Sequence, residues 1–433
     1  MERIWTTELP LHISKPVLLK GWLHHFRQLS TVSFLLVRDA QGIAQVVVDD
    51  PALVEKLAHL KHESVLAIQG TVHLRPQAPN GVEIVDAAVD VLVASTEDPP
   101  VALYHPAPQA QLPTIMDSAP VTLRHPRLRA AFRLADAALS GYRGALRAER
   151  FVEIQTPKIV DSATEGGANV FALNYFGRPA FLAQSPQFYK QTMVGVFERV
   201  FEVGPVFRAE PHDTPRHINE YVSLDFEMGF IEDHHDVITL LRDVLDSMMG
   251  SMQEVAADAL VLLKLAVPPV PKPIPEIHFS EAQALIEKAT GVNLAGENDL
   301  APSHESWLGE WVQREYGSEF LCVTGYPMSK RPFYTHPDPG RPEYSNSFDL
   351  LFRGLELVTG GQRLHHYQDY VRALKDRGYD VASYDAYLQA FRYGMPAHGG
   401  CALGLERFIA RLVGASNIRE TTLFPRDINR LSP

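Results

Sequence analysis

Short runs rich in Val, Leu and Ile, separated by turn sequence, occupy the first 105 residues and read as strands. The runs fall at residues 17–24, 33–38, 43–48, 64–73 and 82–94. Gly21 inside the first marks a bend or bulge, and Asp39-Ala40-Gln41-Gly42 between the second and third is turn sequence. Between the third and fourth runs the spacing changes to that of a helix, Leu53, Leu57 and Leu60, with Pro51 near its start where the missing N–H costs nothing. Three strands, a helix and two strands predict a five-stranded OB-fold β-barrel, a fold that commonly binds oligonucleotides on its strand 2–3 face. Other small β-domains share that order.

Farther along, the periodicity mixes. A long helix is expected from residue 127 to about 150, with strands at 151–154, 180–184, 199–206 and 223–230. Val237, Leu240, Leu241, Val244, Leu245, Met248 and Met252 recur at helix spacing, and their methionines read as core filler. Further strands are expected at 320–324 and 348–358. The fold class is α+β, the second unit an antiparallel sheet flanked by helices. The Pro-, Ala- and Gln-rich stretch 99–120 reads as a hinge, which gives an OB unit at 1–105, a hinge at 106–125 and a larger domain at 126–433.

Composition narrows this. A chain of 433 residues allows two or three domains. Its two cysteines, Cys322 and Cys401, stand far apart with no partner at metal spacing, so neither a disulfide scaffold nor a structural zinc site is expected. A reducing, cytoplasmic location follows. The start has no apolar stretch like a signal peptide, and the greasiest run, 259–269, is broken by Lys264 and Pro268, so no membrane association is expected.

The net charge of −12 argues against nucleic acid only until it is located. Residues 221–305 hold fifteen acidic and four basic side chains, so the rest of the chain is close to neutral. Global charge therefore excludes no partner.

There is no G-x-x-x-x-G-K-[ST] phosphate loop, no G-x-S-x-G elbow and no H-E-x-x-H. The pairs His24-His25, His234-His235 and His365-His366 are sequence neighbours, which point apart on a helix or strand. Other polar residues cluster within apolar surroundings. These are Thr164-Glu165-Gly166-Gly167, the segment from Gln184 to Lys190, Arg208 with Glu210, and Asp349 with Glu356. Thr359-Gly360-Gly361-Gln362-Arg363 and Gly404-Leu405-Glu406-Arg407 complete the set. Taken singly, Arg208 and Glu210 could be a surface ion pair on one strand face, and Asp349 and Glu356 could pair with Arg353. Arg407 in a helix first turn opposes the macrodipole unless an anion compensates. Together, cations and carboxylates flanked by apolar strand residues should enclose a charged ligand, because unpaired buried charges are costly.

The order of these segments resembles class II aminoacyl-tRNA synthetases over essentially the whole chain. Phe207-Arg208-Ala209-Glu210 with His217, and Gly404-Leu405-Glu406-Arg407, are similar to that class's motifs 2 and 3. Pro157 resembles the motif 1 proline of its homodimer interface. Within the class the chain resembles aspartyl-tRNA synthetases of the archaeal/eukaryotic type.

The resemblance implies Arg208, Glu210 and Arg407 as catalytic residues, and an ATP site of Arg208, Glu210, Arg216, His217, Tyr221, Glu356 and Arg407. Asp349, Glu356 and Thr359 would hold Mg²⁺. Glu165, Ser185, Gln187, Lys190, Arg208 and Arg363 would bind L-aspartate. Lys190 and Arg363 would grip its side-chain carboxylate, the lysine being absent from asparaginyl-tRNA synthetases, and asparagine's neutral amide would leave their charge unbalanced. Arg27, Phe34, Gln45 and Glu83 would meet the anticodon, although Phe34 could equally be an ordinary barrel residue.

His24 stands where strictly tRNA(Asp)-specific members often carry Trp, and the loop with Pro76 and Gln77 lacks their Lys. Both features predict a non-discriminating enzyme that charges tRNA(Asp) and tRNA(Asn). The alternatives are a strictly tRNA(Asp)-specific enzyme, an asparaginyl-type ligase, and a catalytically silent RNA-binding paralogue. The acidic segment 221–305 is expected on an outer surface away from tRNA.

Overall fold

The computed structural model describes residues 1–30, 32–161 and 169–432. They form two compact units, Met1–Arg129 and Ala130–Ser432.

In the first unit the apolar runs become β1 (Pro16–Gln28), β2 (Ser33–Arg38), β3 (Ile43–Val48), β4 (Val65–Leu74) and β5 (Val82–Val93), with helix α1 (Pro51–Ala58) after β3. They pair in the order β1-β2-β3-β5-β4, and β4 returns to β1, which closes the barrel. Alternate residues Leu19, Leu35, Val37, Ala44, Val46, Ile68 and Ile84 fill its interior. The strand β1 runs beyond its expected end, and the register shift lies between Leu23 and His25, past Gly21. The Pro-rich stretch expected to be a hinge contains two short helices, Leu112–Asp117 and Ala119–Thr122. Pro113 and Pro120 sit in their first turns, where proline is compatible with helix.

The second unit is built on an eight-stranded sheet. Its strands are β6 (Val152–Glu153), β7 (Arg199–Phe207), β8 (Glu220–Gly229), β9 (Glu276–His278), β10 (Phe320–Thr324), β11 (Ser347–Phe352), β12 (Glu356–Gln362) and β13 (His398–Gly404). Their order is β9-β10-β11-β12-β13-β8-β7-β6. The pairs inside are antiparallel, while β6 on β7 and β9 on β10 are parallel. The single strand expected at 348–358 is a hairpin. Arg353 and Gly354 both take positive φ, 50° and 70°, and turn the chain between β11 and β12.

Helices α2 (Pro126–Ala148) and α4 (His234–Val255) cover one face of the sheet, with α3 (Gln187–Phe197) between them in sequence. Leu134, Ala138, Leu241, Val244 and Leu245 join Phe226, Phe348 and Leu403 in one core, and Met248 and Met252 are fully buried in it. On β8 the core takes Leu224, Phe226 and Met228, which by strand alternation turns Ser223, Asp225 and Glu227 to the other face. Across from them on β13 stand Gly404, Ala402 and Gly400. These small residues leave the second face open.

At Gly400 the fit is tightest, since a Cβ there would lie 2.1 Å from the Phe226 carbonyl oxygen and 2.3 Å from Glu227 Oε2. Gly400→Ala is therefore expected to destabilise the protein by about 3 kcal/mol, read as a lowered urea midpoint at unchanged m-value. A midpoint equal to that of the unaltered protein would show that the strands part without cost.

The acidic segment divides. Asp243, Asp246, Glu254 and Asp258 are exposed, as expected of an outer surface, but Asp225, Glu227 and Glu305 are buried.

Candidate active site

On the open face, a cavity of about 510 Å³ is lined by Arg208, Glu210, Arg216, His217, Tyr221, Glu356, Thr359 and Arg407. All seven residues assigned to ATP thus converge from four stretches of chain. Arg208 and Glu210 do not share a strand face, because β7 ends at Phe207. They lie in the segment leaving it. The Arg208 amide donates to the Asn219 carbonyl at 2.9 Å, and the Asn219 side chain donates to the carbonyls of Arg208 (2.7 Å) and Glu210 (3.3 Å). The Arg208 guanidinium lies 5.9 Å from the Tyr221 ring centre, and its Nη1 is 3.8 Å from Glu210 Oε1. His217 Nε2 approaches Glu210 Oε2 at 3.6 Å.

Arg407 stands in the first turn of α8 (Leu405–Val413), and its Nη1 donates to the Glu356 carbonyl at 3.2 Å. Beside it the Glu406 carboxylate accepts the Val222 amide on both oxygens at 3.1 Å, which ties the helix start to β8. Arg208, Arg216 and Arg407 give the cavity its positive side. Lys330, absent from the sequence assignment, also lines it.

The hairpin places Asp349 directly opposite Thr359 and Leu351 opposite Glu356. Thr359 Oγ1 donates to Glu356 Oε1 at 3.1 Å. Burial, then the Asp349 charge, pushes the Glu356 carboxyl up to about 7. Glu305, on helix α5 (Pro302–Tyr316), accepts the Glu356 amide at 3.0 Å, and Arg331 holds Asp349 at 2.9 Å. Neither Glu305 nor Arg331 was found from sequence. Hard oxygen donors and mutually repelling carboxylates fit a divalent cation such as Mg²⁺. Among the described residues the one group of three His or carboxylate side chains whose ligand atoms all lie within 4.8 Å is elsewhere, Asp233-His234-His235, where Asp233 caps α4 by accepting the His235 amide.

Deeper lies a buried ion quartet. Lys190 Nζ reaches Asp225 Oδ1 at 3.0 Å, Glu227 Oε2 at 3.4 Å and the Cys401 carbonyl at 3.0 Å. Arg363 Nε donates to Glu227 Oε1 at 2.9 Å, and Nη2 donates to the Gly400 carbonyl at 2.9 Å. Burial works against both charges on Lys190 and Glu227, yet their partners win. Lys190 is held above its ordinary value and Glu227 below its own.

The expectation of two uncompensated cations is therefore corrected, because Asp225 and Glu227 already balance Lys190 and Arg363. Sequence reasoning passed over both acids. Their signal was carboxylates at alternate positions in the apolar strand Leu224-Asp225-Phe226-Glu227. Ser223, which lines the cavity, donates to Asp225, so cavity and quartet are joined. Ser185 Oγ accepts the Gln187 amide at 3.3 Å, and the buried Gln187 Nε2 has no hydrogen-bond partner among the described residues. Glu165 lies outside the described residues.

In the barrel, Arg27 pairs with Phe34 across β1 and β2, Leu36 with Gln45 across β2 and β3, and Gln45 with Glu83 across β3 and β5. The four assigned residues thus occupy one continuous patch, Phe34 half-buried and Arg27 exposed, with Gln45 Nε2 donating to Glu83 at 2.9 Å. His24 is buried instead. Its Nδ1 lies 3.4 Å from Arg38, which makes two 2.8 Å bonds to Glu63. Burial, then Arg38, pulls the ring down to about 4. Any effect of His24 on RNA must pass through its neighbours. Pro76 and Gln77 are exposed in the loop after β4. Pro157 is exposed in the second unit, between Thr156 and Lys158, which both bond to buried Glu202.

Residues 112–428 match the family described as tRNA synthetases class II (D, K and N), and residues 17–92 match the OB-fold nucleic acid binding domain. The chain is 42% identical over its full length to all of a Thermus thermophilus protein named Aspartate–tRNA(Asp/Asn) ligase. It is 43% identical, over its full length and 99% of the relative, to a Deinococcus radiodurans protein of the same name. Asparaginyl-tRNA synthetase from Pyrococcus horikoshii, solved with asparaginyl-adenylate, superimposes with a TM-score of 0.92 at 29% identity, covering all of both chains.

Proposed function

We propose, for a chain that belongs to the class II tRNA synthetases (D, K and N), that it ligates L-aspartate to tRNA through an aspartyl-adenylate. The observation that carries the reading is the continuity from the arginine-lined cavity through Ser223 and Asp225 to Lys190 and Arg363. A triphosphate and an amino acid bound in those two places would meet.

The reaction needs no protein nucleophile. An oxygen of the aspartate α-carboxylate attacks the ATP α-phosphorus, the bond to the bridging oxygen breaks, and pyrophosphate leaves. Arg208 bridges carboxylate and α-phosphate and meets the charge that builds on the phosphoryl oxygens. Glu210 accepts from the adenine amino group, Tyr221 stacks on the ring, and Arg407 covers its other face. Arg216 and His217 face the distal phosphates. Asp349, Glu356 and Thr359 would hold Mg²⁺, which supplies charge neutralisation to the phosphates. The 3′-hydroxyl of the tRNA's terminal adenosine then takes the aspartyl group, releasing AMP.

Amino-acid choice rests on donor chemistry more than on net charge. Lys190 and Arg363 offer only N–H donors, which a carboxylate satisfies with both oxygens. An asparagine amide would set its own donors against them, and an unsatisfied buried group costs about 1–3 kcal/mol.

Two relatives named for both tRNAs favour charging of tRNA(Asn) as well as tRNA(Asp), with Arg27, Phe34, Gln45 and Glu83 meeting the anticodon and His24, Pro76 and Gln77 setting tolerance. Both transcripts are expected to be aspartylated, with initial rates within about tenfold of each other, the span of one or two hydrogen bonds. Background charging of tRNA(Asn) would restrict the enzyme to tRNA(Asp). Exchange supported by asparagine in preference to aspartate would overturn the amino-acid assignment. The exposed Pro157 belongs to the surface we assign to a homodimer, and the enzyme is assigned to the cytoplasm. Among the described residues no helix is long and apolar enough to cross a membrane.

A further inference from the structure

Behind the wall formed by Lys190, Glu227 and Arg363 lies a second enclosed polar cluster that none of the roles above uses. Gln191 follows Lys190 on α3, about 100° farther round the helix, so it points away from the quartet. Its amide oxygen accepts from the Tyr387 hydroxyl at 2.9 Å. Its amide nitrogen reaches the Tyr370 hydroxyl at 3.1 Å and His398 Nε2 at 3.2 Å. Tyr370 and Tyr387 come from helices α6 (Tyr367–Asp376) and α7 (Asp385–Arg392). Tyr370 donates to the Leu364 carbonyl at 2.8 Å, and His398 Nδ1 lies 2.9 Å from the Pro396 carbonyl. That contact places the ring proton on Nδ1 and leaves Nε2 to accept from Gln191. Burial keeps the ring neutral, pulling it down to about 4. The Tyr387 hydroxyl also lies 3.1 Å from that of Tyr370, so its proton can reach either Tyr370 or Gln191, while the other protons of the cluster each have one acceptor.

The cluster meets the pocket wall in three places. Gln191 is the neighbour of Lys190, and Leu364, held by Tyr370, is the neighbour of Arg363. The Arg363 amide itself donates to the His398 carbonyl at 2.9 Å. Two and three residues beyond His398, the carbonyls of Gly400 and Cys401 receive Arg363 and Lys190. Aromatic side chains enclose the cluster, where apolar residues would pack as well. A fully satisfied polar network adds a single geometry that apolar packing does not impose.

We propose that Gln191 is a positioning residue for amino-acid recognition, fixing Lys190 and Arg363 through Tyr370, Tyr387 and His398. This rests on the reading that Lys190 and Arg363 grip the aspartate side chain. Gln191→Met keeps the volume but removes three hydrogen bonds, and Tyr387→Phe removes the one to Gln191 with least risk to folding. In ATP–pyrophosphate exchange the KM for aspartate is expected to rise about tenfold or more in the first and about threefold in the second. The KM for ATP should stay within about twofold, since no group of the cluster lines the ATP cavity. An unchanged aspartate KM in Tyr387→Phe and in every Gln191→Met preparation that folds, or equal rises in both KM values, overturns the proposal. No aspartate-dependent exchange in the unaltered protein would instead remove the reading beneath it.

Discussion

Arg208→Ala is expected to lower aspartate-dependent ATP–pyrophosphate exchange by about a thousandfold, the scale for removing one preorganised charge stabiliser from a transition state. The loss should come from chemistry and not from unfolding. The Arg208 side chain is 42% exposed, and the segment that carries it is held by backbone and Asn219 contacts that alanine keeps. Its stability should therefore change by no more than about 0.5 kcal/mol. In the proposed mechanism Arg208 touches both reactants, the amino-acid carboxylate and the α-phosphate. Charge on the phosphoryl oxygens would then develop with Arg216, Lys330 and Arg407 as the remaining cations lining the cavity, none of which bridges the two reactants in that mechanism. Arg208→Lys should recover little, because an ammonium cannot bridge two anions with a planar fork. Exchange in Arg208→Ala within tenfold of the unaltered protein would mean that Arg208 does not stabilise the transition state of aspartate activation. A silent RNA-binding paralogue would show no exchange in either protein.

Much of the site was legible because its residues sit in short, ordered segments whose types are chemically unusual for their surroundings. The motif 2 and motif 3 segments led to the cavity, and the strands at Ser33–Arg38, Ile43–Val48 and Phe320–Thr324 fell where their short apolar runs put them. The hairpin at Ser347–Gln362 was misread because Phe352-Arg353-Gly354-Leu355 carries one turn residue amid apolar ones. Backbone conformation, with Arg353 at positive φ, decides the turn there.

Partners were harder to see than ligand-facing residues. Glu305 and Arg331 reach the site from a helix and a loop outside the motif segments, and Asp225 from the strand that follows motif 2, so tertiary packing and not local sequence brings them in. His24 shows the converse. The resemblance assigned it to tRNA discrimination, but in the strand whose register shifts between Leu23 and His25 it is buried against Arg38.

Lys190→Met should have the second large effect, and for a different reason. Lys190 is fully buried, and its removal leaves Asp225 beside Glu227 with Arg363 as the remaining cation of the quartet. Breaking a buried pair from one side typically costs about 3–5 kcal/mol, so the unfolding midpoint should fall sharply. The kcat/KM for aspartate should fall by about a thousandfold, the order expected when a desolvated charge that meets the substrate is lost. The two losses are separable. In Lys190→Met/Asp225→Asn the unpaired carboxylate is gone, and replacing both ions of a buried pair is close to neutral, so stability should return to within about 1 kcal/mol. Aspartate activation should not return with it, because neither the introduced thioether nor the introduced amide can hold a carboxylate as an ammonium does. If activity recovers together with stability, Lys190 serves the fold alone, and recognition of the side chain must lie with Arg363.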